Sequence, residues 1–88
     1  MAMKDQIAAR LTAALAPEAL EVLDESAQHH GHAGWREGGE THFRVRAVAA
    51  AFIGKSRVER HRLVNAALAA ELAGSVHALA LELKAPGE

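Results

Sequence analysis

Apolar residues recur along this chain at two spacings, four and two, and the changes from one to the other divide it into elements. From Met3 to Ala16, Ile7, Leu11 and Leu15 stand four apart, with Asp5 in the first turn and Pro17 just beyond. That pattern predicts an amphipathic helix with a defined stop. From Ala19 to Ser26 the spacing shortens to two, with Leu20 and Val22 facing one way and Glu21, Leu23 and Glu25 the other, as in a strand. Glu40 to Val48 alternates more cleanly, setting Phe43, Val45 and Ala47 against His42, Arg44 and Arg46. Beyond Phe52 and Gly54, Ser56 followed by Glu59 forms a capping box, which starts a helix at Ser56. Val64, Leu68 and Leu72 carry that helix to Leu72, and Gly74 is expected to supply a left-handed stop. Val76 to Lys84 alternates again, with His77, Leu79, Leu81 and Leu83 on one side.

The order is helix, strand, strand, helix, strand. Two strands joined through a helix run parallel when they are neighbours, so the expected fold is α/β in the α+β sense. It has αββαβ order, a three-stranded mixed sheet and helices on one face. A chain of 88 residues supports one hydrophobic core, and residues 1–88 are read as a single domain. Half of the residues are hydrophobic but only Trp35, Phe43 and Phe52 are aromatic, which points to a core made of Ala, Leu and Val.

Residues Ala27 to Gly39 fit neither spacing: AQHHGHAGWREGG holds four glycines and reads as a long exposed loop, a kind of segment that often carries function. Three of the chain's six histidines, His29, His30 and His32, fall here. Neutral imidazoles ligate borderline metals, and a loop can bring two to one ion; a solvated polar loop is the competing reading. His77 opens the last strand on its leucine side. It reads either as a half-buried histidine satisfied by a backbone carbonyl or as a rigid ligand facing the loop. His61 leans toward the apolar side of its helix, and His42 shares a strip with Arg44 and Arg46. Trp35 is either a partner anchor or an incidental loop residue.

Charge alters the picture locally. The net charge is −1, yet six of the ten Lys and Arg residues lie between Arg44 and Arg62, where Glu59 is the only acid. Lys55, Arg57, Arg60 and Arg62 crowd the start of the second helix, and with Arg44 and Arg46 they form either a phosphate-binding surface or a solvated face. Arginines near a helix start oppose its macrodipole, a weak sign of a role other than helix stability.

The absence of cysteine excludes disulfides and any thiolate site built from this chain alone. No nucleophile signature, phosphate-binding glycine loop or framed carboxylate pair is present, so no enzyme is expected. No stretch approaches the length of a membrane span or resembles a secretory signal, which makes the cytoplasm the expected location.

Three blocks carry a family resemblance: Leu20 to Ser26 (LEVLDES), Gly39 to Val45 (GETHFRV) and Phe52 to Ser56 (FIGKS). A fourth, RHRLV from Arg60 to Val64, continues through Leu68, Glu71 and Leu72 to VHALA from Val76 to Ala80. In this order and spacing they resemble the BolA family. The resemblance implies a fold related to the class II KH domain. It also implies an adaptor that pairs with a monothiol glutaredoxin and shares a [2Fe-2S] cluster with it, the partner bringing a cysteine and a glutathione thiolate. On this side the resemblance implies His77 and one residue of the loop, ranked His29, then His32, then His30. Some relatives look like transcriptional regulators, which keeps DNA as a second candidate partner. A histidine-only zinc or copper site is the third reading, and such a site loses affinity below about pH 6.

Overall fold

The computed structural model describes residues 2–25, 42–74, 76 and 78–88. Its elements are α1 (Met3–Leu15), β1 (Ala19–Asp24), β2 (His42–Val48), α2 (Arg57–Ala67), α3 (Ala69–Ala73) and β3 (Ala78–Lys84), with a 3₁₀ turn at Ala50–Phe52 that the spacing did not anticipate. The sheet order is β1-β2-β3, antiparallel between β1 and β2 and parallel between β2 and β3. The mixed three-stranded sheet is the one expected from the element order.

The core lies between the helices and one face of the sheet. Ile7, Leu11 and Leu15 of α1 are buried against Phe43, Val45 and Ala47 of β2, with Val64 and Leu68 closing over them. Leu79, Leu81 and Leu83 of β3 pack on the same cluster. The composition suggested an Ala, Leu and Val core. Nine of the twelve buried hydrophobic residues among those described are of these three types, and Phe43, Phe52 and Ile7 are the bulkier exceptions.

The second helix departs from expectation. Its capping box is present, with the Ser56 N–H donating to Glu59 Oε1 at 2.8 Å and the Glu59 N–H to Ser56 Oγ at 3.1 Å. The helix is not continuous to Leu72, however, since it breaks at Leu68 (φ −106°, ψ 18°) into α2 and α3. No glycine or proline marks the break. The Leu68 N–H still donates to the Val64 carbonyl and the Leu72 N–H to the Leu68 carbonyl, so the break is local, and Leu68 and Glu71 are both buried. Nor is Gly74 left-handed: at φ −100° and ψ −116° it closes α3 by donating its N–H to the Ala70 and Glu71 carbonyls. The left-handed cap belongs to Ala16 (φ 45°, ψ 55°) at the end of α1.

Candidate functional site

One end of the sheet gathers three strand termini. Asp24, the last residue of β1, pairs with Phe43, which pairs in turn with Leu79, and one step outward His42 pairs with Ala78. The Glu25 N–H donates to the His42 carbonyl at 2.8 Å, holding the departing chain beside the arriving one. A hollow of about 340 Å³ opens there, lined by Glu25, His42, Arg44, Ala78, Leu79 and Ala80. His77, His29, His30 and His32 lie outside the described residues. The segments carrying them join the described chain at this end, one between Glu25 and His42 and the other just before Ala78.

Of the two described histidines, His42 is half-buried on the hollow. His61 is half-buried too, but it lines a separate groove between α2 and β3 and is not brought to the sheet end.

The sheet face turned away from the helices carries a ladder of charge. Arg44 donates to Glu25 at 3.0 Å and to Glu82 at 3.2 Å, while Arg46 donates to Glu82 at 3.1 Å and to Glu21 at 3.2 Å. Hydrogen bonds from Arg46 and Arg44 hold the Glu82 carboxyl below the usual carboxylate range. Three carboxylates thus answer two guanidiniums, and Arg44 and Arg46 are committed within the protein. They are not grouped with the basic residues of α2, which sit on the opposite side of the sheet.

Arg60, at the start of α2, is also engaged: its Nη1 and Nη2 donate to the two Glu88 carboxylate oxygens at 2.6 and 2.7 Å. Among the described residues, Lys55, Arg57 and Arg62 form no ion pair, so the start of α2 keeps exposed positive charge. The cross-strand partners of Arg44 and Arg46 had a usable signal in the sequence, because alternation puts Glu21, Glu25 and Glu82 on the same face. Glu88, beyond the last periodic residue, had none. Neither did Glu71, which is buried and accepts Gln6 Nε2 at 2.7 Å and Arg10 Nε at 3.0 Å.

Comparison with known proteins places this geometry. A family model described as BolA-like protein matches residues 11–88. The chain is 51% identical over 82 residues to BolA-like protein 1 of Mus musculus, covering 93% of this chain and 57% of the mouse protein. It is 43% identical over 81 residues to the DNA-binding transcriptional regulator BolA of Escherichia coli, covering 92% of this chain and 73% of that protein. The BolA domain of SufE1 from Arabidopsis thaliana superposes with a TM-score of 0.88 at 44% identity, over 98% of this chain and 94% of that one.

Proposed function

The chain belongs to the BolA-like family, and from that premise we propose that it is a non-enzymatic adaptor that pairs with a monothiol glutaredoxin. In this reading it co-ligates a [2Fe-2S] cluster through His77 and one loop histidine, and acts in cluster trafficking or in iron and redox regulation. The observation that carries the reading is the register at the sheet end. Pairing of His42 with Ala78, and of the Glu25 N–H with the His42 carbonyl, brings the chain flanking both histidine-bearing segments together.

Donor chemistry supports the same reading. Imidazole ligates iron, and a chain without cysteine supplies no thiolate, so the remaining ligands fall to the partner. Imidazole in place of thiolate removes negative charge, raises the cluster potential and makes the ligand protonatable, properties suited to release or sensing. In this reading His77, next in sequence to the strand that begins at Ala78, and one histidine of the segment between Glu25 and His42 act together as a two-point clamp.

The test mixes the protein with a monothiol glutaredoxin, glutathione and iron under reducing conditions. His77→Ala changes the visible spectrum of the complex, and His29→Ala has the largest effect among single loop variants. An unchanged spectrum in His77→Ala removes the assigned ligand.

A second reading, DNA binding, draws on the name of the Escherichia coli relative and on the uncommitted charge of Lys55, Arg57 and Arg62. It predicts a salt-dependent gel shift that is lost in Arg57→Glu/Arg62→Glu, whereas no shift at low salt removes it.

A further inference from the structure

β3 is an edge strand, with β2 on one side and no strand on the other among the described residues. The Ala49 N–H donates to the Lys84 carbonyl at 3.0 Å, so Lys84 turns its backbone toward β2. Backbone groups alternate in direction along a strand. Ala78, Ala80 and Glu82 therefore face β2 as well, and the N–H and C=O groups of Leu79, Leu81 and Leu83 point away from the sheet. Arg60 Nη1 covers the Leu83 carbonyl at 3.3 Å. Among the described residues, no backbone group meets those of Leu79 and Leu81 on that side. No proline or bulge blunts the strand, and Lys84 at its end is its one basic residue.

A groove of about 500 Å³ runs beside this edge, between β3 and the start of α2. Leu81 and Leu83 give it an apolar lining, and Lys55, Arg57, Arg60, His61 and Lys84 give it basic walls. Its one acidic lining residue, Glu82, is engaged by Arg44 and Arg46. The protein already seats a carboxylate here: Glu88 is held by both Nη atoms of Arg60 and accepts the Ala85 N–H at 3.1 Å.

We propose that the outer edge of β3 is a docking site for an extended acidic segment of another protein. The segment adds as a fourth strand along Leu79 to Leu81, and its carboxylates meet Lys55, Arg57 and Lys84. The charge of the groove selects this occupant. A second copy pairing edge to edge would set two basic grooves against each other. Nucleic acid would use the positive charge but not the alternating N–H and C=O groups or the leucines between them. This inference stands apart from the cluster reading, since it uses the outer edge of β3 and not the histidine end of the sheet.

The test titrates the isotope-labelled full chain with a synthetic peptide alternating glutamate and valine, followed by amide resonances and hydrogen exchange. The Leu79 and Leu81 amides shift and gain protection, and Arg57→Glu/Lys84→Glu weakens binding about tenfold or more. The same peptide methylated on alternate backbone nitrogens, with its charge unchanged, does not bind. Absence of binding, or equal binding of the methylated or a lysine-valine peptide, overturns the proposal. So does a single-stranded oligonucleotide that shifts these resonances while the peptide leaves Leu79 and Leu81 unprotected.

Discussion

At the scale of single residues, Glu71 is a buried carboxylate at 3% exposure that ties α3 to α1. Burial alone raises its pKa, but the hydrogen bonds it accepts, from Gln6 and Arg10 among others, outweigh that penalty and leave it below the usual range. Removing the carboxylate leaves two donors without their acceptor across the helix junction. Glu71→Ala should therefore cost about 2 to 3 kcal/mol, measured by urea unfolding, and an unchanged midpoint would show that the tie is dispensable. Glu88 has the opposite setting, an exposed carboxylate on Arg60. That pair and the Ala85 N–H bring its pKa down to about 2 from 4.5. A lowered folded pKa means stabilisation that is full above about pH 4.5 and is lost as pH falls toward 2. Glu88→Gln should accordingly be less stable than the parent at neutral pH, with the difference closing by about pH 2. A difference that persists in acid would assign the effect to something other than charge.

At the scale of elements, local signals were legible and distant ones were not. Ser56 and Glu59 are three residues apart, so their reciprocal bonds could be read directly; Ser56→Ala should lower stability by about 1 kcal/mol in thermal or urea unfolding without moving the start of α2. The strand faces were equally legible, because alternation in β2 is the burial pattern itself: Phe43, Val45 and Ala47 are inside and Arg46 is outside. The break at Leu68 was hidden because propensity favours one long helix there and no glycine or proline marks the position. Gly74 misled for a related reason. Glycine permits a left-handed cap without requiring one, and α3 ends through two carbonyls that accept the same N–H.

At the scale of the whole molecule, what escaped the sequence was the partner of each charge. Alternation sets the carboxylates that Arg44 meets, 19 and 38 residues away, on its own sheet face without pairing them to it, and the partner of Arg60, 28 residues away, leaves no periodic trace. The candidate cluster site divides in the same way. Its residue types were legible as a histidine set without cysteine, while the meeting of strand termini that brings their flanking chain together follows only from the sheet register. A consequence for the intact protein follows from that donor set. If the proposed ligation holds, two imidazoles complete half of a four-ligand iron-sulfur site, and the chain has no thiolate for the other half. Supplied with iron, sulfide and glutathione but no glutaredoxin, the protein should emerge from gel filtration without cluster absorbance. Adding the glutaredoxin should produce a coloured heterocomplex, and acidification below about pH 6 should discharge it as the imidazoles protonate. Colour that stays with the isolated chain would mean that it holds metal without a thiolate-bearing protein, which returns the loop histidines to the reading of an autonomous site.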